Sequence, residues 1–180
     1  QYFIDHKISN KEQSVLIPGS GVNLSRHPVE PFPDEDGTVR LLFIGRILRD
    51  KGISEMLEAA QKVHAKHPNF TCDIAGFYVD ERYKSMLEAY SQSGAGTYLG
   101  FIKEIHFLIM KYHAVVLPSY HEGMANVLLE AAACARPVLA SDVPGCRETF
   151  DEGFSGIGFE PRSVDSLEHA IETFIALPYE

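Results

Sequence analysis

The sequence predicts an α/β architecture: a Rossmann-like, three-layer α/β/α domain around a mainly parallel sheet. Three observations carry that expectation. Short apolar runs near residues 39–44, 70–75, 114–117, 138–140 and 156–159 alternate with longer segments of helical periodicity. Pro and Gly punctuate most of the junctions between them. Polar stretches rich in Gly, Arg, Lys and Glu follow the apolar runs, at the strand ends where such sheets bind ligands.

Taken in order, residues 1–13 are polar and mixed, like the tail of a helix in an inter-domain linker. Ser14 to Ile17 is a short strand candidate, halted by Pro18-Gly19-Ser20-Gly21. Arg26 to Gly37 is rich in proline and acid and predicts an extended connector. Val39 to Ile44 is an apolar strand, and Ile53, Met56, Leu57, Ala60 and Val63 then follow helical spacing until Pro68. Phe70 to Ala75 predicts a strand, Asp80 to about Gln92 a helix, Tyr98-Leu99 a very short strand, and Lys103 to Tyr112 a helix. Ala114 to Leu117 is a buried strand, broken by Pro118, Ser119 and Gly123. An Ala/Leu-rich helix from about Met124 to Ala135 ends at Arg136-Pro137, ahead of a strand at Val138-Leu139-Ala140. After the turn at Pro144-Gly145, Gly156 to Phe159 reads as a strand, and Ser163 is a good N-cap for a helix reaching Ile175.

At 180 residues the chain is long enough for one well-packed domain and short for two. A formal net charge of −9 argues against a nucleic-acid partner and against this piece lying on an anionic membrane. A small phosphorylated ligand in a locally basic pocket remains compatible with it. Cys72, Cys134 and Cys146 lack metal-ligand spacing and fit a reducing compartment better than a disulfide scaffold. No apolar run approaches the roughly 20 residues that span a bilayer, so a cytoplasmic location is expected.

Several familiar motifs fail. His121-Glu122 opens like a metalloprotease motif, but Ala125 stands where a second His is required. Gly19-Ser20-Gly21 lacks a third glycine, and Gly94-Ala95-Gly96 precedes a strand rather than following one. No metal site and no cofactor are expected.

Three features survive. Gly45-Arg46-Ile47-Leu48-Arg49-Asp50-Lys51-Gly52 joins a strand to a helix, so Arg46 and Lys51 leave a strand's carboxyl end beside a helix N-terminus. Arg offers forked donors to phosphate and Lys a point charge; the bland alternative is a solvated basic loop. Glu122-Gly123-Met124-Ala125-Asn126 leads to Glu130, eight positions after Glu122. Backbone N–H groups there suit an anion, while carboxylates suit sugar hydroxyls; an ordinary N-terminal acid plus a solvated mid-helix Glu is the competing account. Gly100-Phe101-Ile102 could frame a flat base, though on its own a plain strand-to-helix turn is the better account of it.

Together and in this order, LIPGSGVNL (16–24), FIGRILRDKG (43–52), LPSYHEGMANVLLEAAACARPVLASDVPGCRE (117–148) and GFSGIGFEPRSVDSLEHAI (153–171) resemble the C-terminal, donor-binding half of a GT-B-fold glycosyltransferase. The closest resemblance is to the retaining family-4 group that builds bacterial surface polysaccharides, whose E-x7-E motif matches Glu122-x7-Glu130. That resemblance implies that Arg46 and Lys51 bind the diphosphate of a nucleotide sugar, UDP- or GDP-linked. Glu122 would contact the sugar, and the backbone of Gly123, Met124 and Ala125 would line the sugar and phosphate site. Asn126 and Val127 would lie near phosphate and Glu130 would hold the ribose. Gly45 would let the ligand approach, and Gly100, Phe101 and Ile102 fall where the family contacts the base. Glu122, Arg46 and Lys51 would be the residues closest to the chemistry, without a metal. Ala125 stands where many relatives carry Gly or Pro.

The same resemblance leads to the expectation that residues 14–177 form the nucleotide-sugar-binding domain. An N-terminal acceptor domain and the final crossover helices would lie outside this chain. The saccharide or lipid-linked acceptor, and any membrane contact, would then belong to the other half, and these 180 residues would bind donor without catalysing transfer. A nucleotide-sugar 2-epimerase half and a non-catalytic nucleotide-binding or interaction module are the alternatives that the sequence leaves open.

Overall fold

The computed structural model describes residues 2–15, 17 and 19–178. Six strands form one sheet in the order β3-β2-β1-β4-β5-β6. They are β1 (Val39–Ile44), β2 (Phe70–Ala75), β3 (Tyr98–Gly100), β4 (Ala114–Leu117), β5 (Val138–Ser141) and β6 (Gly156–Phe159). Every pairing is parallel, so the sheet is wholly rather than mainly parallel. Parallel strands covered on both faces need near-continuous apolar runs, and Ala114–Leu117 is buried at all four positions. The order reverses between β1 and β4, whose carboxyl ends carry the two polar motifs. That reversal opens the crevice in which such sheets bind ligands.

Among the described residues the α-helices are α1 (Tyr2–Asp5), α2 (Ile53–Lys66), α3 (Arg82–Gln92), α4 (Ile105–Ile109), α5 (Asn126–Ala133) and α6 (Val164–Ile175). The stripe of Ile53, Met56, Leu57, Ala60 and Val63 on α2 is buried as its spacing predicts, and the helix packs beside α6. Lys66 reaches Glu168 and Glu172 across that seam at 2.6 and 2.7 Å, but its exposure makes these ion pairs worth little. Ser163 caps α6 by accepting the Ser166 N–H at 3.1 Å. α5 ends because Ala135 turns left-handed at φ 55° and the Arg136 N–H returns to the Ala131 carbonyl at 2.9 Å.

Three expectations change. Ser14, Val15 and Ile17 form no strand, Leu16 lying outside the described residues. Val15 is 86% and Ile17 74% exposed, so the apolar run finds no sheet to join. The helix expected from Lys103 to Tyr112 shrinks to Ile105–Ile109, because tight turns at Lys111 and Tyr112 bring the chain back to β4. α3 begins at Arg82 rather than Asp80.

The connector is extended but held. Buried Arg136 donates to the carbonyls of Glu30, Pro31 and Met110 at 3.1, 2.7 and 2.8 Å, with its guanidinium 5.4 Å from the Phe32 ring centre.

All three cysteines are buried and free. Burial raises the thiol pKa of each, that of Cys146 to about 12, which keeps the nucleophilic thiolate scarce at neutral pH. Ellman's reagent at pH 8 is therefore expected to label none of them in the native chain and all three after denaturation. Rapid labelling of the native chain would contradict this packing.

Candidate functional site

The site is assembled from two strand ends. After β1 the chain runs through Gly45 and Arg46 to a 3₁₀ turn at Arg49–Lys51, and Gly52 turns left-handed at φ 67° into α2. After β4 it runs through Pro118 and the buried Ser119 to Glu122. The Tyr120 N–H donates to the Asp50 carbonyl at 2.9 Å and joins the two loops. Gly52 is pressed against Pro118 so closely that a Cβ there would lie 2.1 Å from the Pro118 carbonyl oxygen. This contact lets Lys51 reach across the switch point.

Lys51 forms an ion pair with Glu122, and Ser119 Oγ donates to the same carboxylate oxygen, Oε1, at 2.7 Å. Both charged side chains are mostly buried, with 19% and 13% of their surface exposed. Glu122 is thus clamped by two donors on one oxygen. Arg46 is exposed and, among the described residues, makes no ion pair or side-chain hydrogen bond. Arg49 leaves the same loop, and the Arg162 guanidinium lies 4.6 Å from the ring centre of Tyr120, whose hydroxyl donates to Glu55 at 2.6 Å. In a chain of net charge −9, the 45–52 loop carries three cations, Arg46, Arg49 and Lys51, against one acid, Asp50.

The start of α5 is only partly open. The Ala125 N–H donates to the Gly145 carbonyl at 2.8 Å and the Asn126 N–H to the Met124 carbonyl at 3.0 Å. Two of the N–H groups expected to be free for an anion therefore already have acceptors. Among the described residues, those of Gly123, Met124 and Val127 meet none, and no side chain caps the helix. Met124 packs over Gly19, where a Cβ would lie 2.7 Å from its Cγ, and Asn126 Nδ2 donates to Ser20 Oγ at 3.0 Å. The 19–21 loop, unproductive as a dinucleotide motif, therefore lies against this helix end.

Glu130 lies within α5, whereas Glu122 stands in the loop before it. Burial raises its carboxyl pKa, while the charges of His27 and His106 pull it back. Those two rings lie 5.7 Å apart, and among the described residues no group donates a hydrogen bond to the Glu130 carboxylate. Gly100 (φ 70°) ends β3, followed by exposed Phe101 and half-buried Ile102. The structure thus joins Lys51 to Glu122, while among the described residues the Arg46 side chain and the Glu130 carboxylate make no hydrogen bond or ion pair.

Ser119, Ser20, Gly145, His27 and His106 were not anticipated as site residues. Pro144-Gly145 was legible as a turn, but nothing in the sequence places it under the Glu122 loop, where a Cβ on Gly145 would lie 2.6 Å from the Glu122 carbonyl oxygen. Elsewhere, a cavity of about 610 Å³ beside β5 and β6 is lined by Asp142, Glu152 and Glu160, with Arg147 already paired to Asp142 at 2.9 Å. Its carboxylate excess makes it a poor anion site. Among the described residues there is no cluster of three or more His, Cys, Asp or Glu side chains able to hold a metal ion, and no helix long and apolar enough to cross a membrane.

Comparison with known families assigns the fold to a lineage. The profile of the family described as Glycosyl transferases group 1 matches residues 29–180. The chain belongs to this family. Relatives of this group 1 domain include a Mycobacterium tuberculosis glycogen synthase, 28% identical over 172 residues that cover 91% of this chain and 40% of that protein. Another is the Campylobacter jejuni N,N'-diacetylbacillosaminyl-diphospho-undecaprenol alpha-1,3-N-acetylgalactosaminyltransferase, 32% identical over 135 residues, 75% of this chain and 35% of that one. The chain thus spans about two fifths of the length of these curated relatives or less.

Among solved structures, the C-terminal domain of a Francisella tularensis group 1 family protein, LpcC, superposes with a TM-score of 0.72 at 24% identity. The match covers 87% of this chain and 89% of that one. Staphylococcus aureus TarM, crystallised with UDP, gives 0.76 at 21% identity over 87% of this chain and 31% of its own. The structural neighbours are GT-B glycosyltransferases, and at these identities the likeness establishes the shared fold.

Proposed function

We propose that this chain is the donor-binding domain of a retaining, family-4-type glycosyltransferase. The complete protein would move a sugar from a UDP- or GDP-sugar to a saccharide or lipid-linked acceptor in cell-surface polysaccharide synthesis. The observation that carries the reading is the paired Lys51–Glu122 at the switch point, with an unpaired Arg46 and open N–H groups at α5 beside it. The acceptor would be held by a domain outside this chain; the name of the Campylobacter relative specifies a diphospho-undecaprenol-linked acceptor. A cytoplasmic setting, where nucleotide sugars are made, accompanies this proposal.

In this reading Arg46 and Lys51 are preorganised cations that stabilise the charge growing on the leaving diphosphate. The N–H groups of Gly123, Met124 and Val127 supply further donors. Glu122, steadied by Ser119, orients the sugar through its hydroxyls. No glycosidase-like nucleophilic role is given to it, since such chemistry requires a second carboxylate about 5 Å away. Glu130 accepts the ribose hydroxyls.

Calorimetric titration of the chain with UDP and GDP tests the proposal: saturable binding of at least one is expected, and binding of neither would remove it. Glu130 adds a pH signature. Its folded pKa is raised, so the accepting carboxylate is lost, as pH falls, earlier than for an ordinary Glu near 4.3. The preference for UDP over its 2′,3′-dideoxy analogue should therefore weaken on acidification, beginning above that range. In Glu130→Gln the preference should be small at every pH. An acid-insensitive preference would rule out the ribose role. The same shift makes Glu130 a stabilising group below its unfolded pKa, with that contribution lost as pH rises through the folded one.

A further inference from the structure

Phe77 and Phe101 stand at the carboxyl ends of β2 and β3, 43% and 68% exposed. Their ring centres are 6.2 Å apart with planes at 71°, an edge-on arrangement more usual inside cores, where the remaining ring faces are covered. Here much of both rings is open to solvent, and together they make a corner.

The backbone beneath that corner is fixed. The Gly76 N–H donates to the Gly100 carbonyl at 2.8 Å, and Tyr98 Oη donates to the Gly76 carbonyl at 3.0 Å. The Ile47 N–H donates to the Phe77 carbonyl at 2.9 Å. Only glycine fits at 76, because a Cβ there would fall 1.8 Å from the Gly45 carbonyl oxygen. The corner is thereby tied to the turn that carries Arg46. Neighbouring strands lie about 4.8 Å apart, so Phe77 begins one strand from that turn and Phe101 two. An anion-binding loop joined at this reach to an uncharged aromatic corner matches a ligand with charge at one end and a flat π-system at the other.

We propose that Phe77 and Phe101 form an aromatic corner that receives the base of the nucleoside diphosphate, with Phe77 providing a stacking face that the sequence motifs do not reveal. This rests on the donor-binding reading above. Family resemblance assigns the base to residues 100–102; the corner adds a side-chain wall from a different strand. Stacking on a ring face needs no hydrogen-bond partner, which suits an open platform.

The test is titration of the 180-residue chain with UDP, GDP and inorganic pyrophosphate. Phe77→Ala is expected to weaken the tighter nucleotide about tenfold while leaving pyrophosphate affinity unchanged. Phe77→Tyr should keep wild-type affinity, and Phe77→Leu, which preserves bulk without a π face, should bind as weakly as Phe77→Ala. Unchanged nucleotide affinity in Phe77→Ala and Phe77→Leu, or a parallel loss of pyrophosphate affinity, overturns the corner. So does an unsubstituted chain that binds pyrophosphate as tightly as nucleotide, although the phosphate site would then stand. If that chain binds neither, the donor-binding reading fails and the corner fails with it.

Discussion

Gly52→Ala is expected to lose about 2–5 kcal/mol of stability, the sum of a left-handed backbone penalty near 1–2 and an overpacking cost near 1–3. The first part follows from φ 67° at Gly52, where only glycine is unstrained. The second follows from the Pro118 carbonyl oxygen, 2.1 Å from where the new Cβ would stand. Neither atom can yield cheaply, since one begins α2 and the other ends β4's run into the site. Gly37→Ala is the control: φ is 77°, yet nothing lies within 4 Å of its added Cβ, so only the backbone penalty applies. Urea unfolding of the two variants separates the terms. Equal losses would mean that the approach of the β1 and β4 loops is looser than described, and the Lys51–Glu122 pair with it.

The same contact shows what the sequence could and could not disclose. Val39–Ile44, Phe70–Ala75 and Ala114–Leu117 were legible to the residue, because parallel strands inside a covered sheet are written as apolar runs between breakers; the edge strand Gly156–Phe159 was legible from its glycine punctuation. Val15 and Ile17 share that local look, and only the absence of a neighbouring strand tells them apart; that is a tertiary fact. α4 was overextended because no Pro or Gly marks its end, and the return to β4 is set by chain geometry.

At the candidate site, residue type and position in the chain singled out Arg46, Lys51, Glu122 and Glu130 as candidates. Their relations were not legible. Lys51 and Glu122 are 71 residues apart, and no spacing rule couples them. Nor does the sequence say that the Ala125 and Asn126 N–H groups have acceptors, that Ser119 steadies Glu122, or that Phe77 stands beside Phe101. Each depends on how loops meet across the switch point.

Lys51→Ala and Arg46→Ala should separate two roles that look alike in sequence. Removing the Lys51 ammonium leaves the mostly buried Glu122 carboxylate with Ser119 as its sole remaining donor among the described contacts. An uncompensated, mostly buried charge should destabilise the fold, by about 1–3 kcal/mol once the pair's partial exposure is allowed for. Arg46 is exposed and unpaired, so Arg46→Ala should leave stability within about 0.5 kcal/mol. Both should weaken UDP or GDP binding, and in a complete enzyme each should cost about 2–4 kcal/mol of transition-state stabilisation. The double variant Lys51→Ala/Glu122→Gln sharpens the distinction. Neutralising the stranded carboxylate should recover most of the lost stability, while nucleotide affinity stays low because the cation is still missing. If affinity returned along with stability, Lys51 would be a support for Glu122 and not a ligand for diphosphate, and the phosphate charge would rest on Arg46 and the α5 N–H groups.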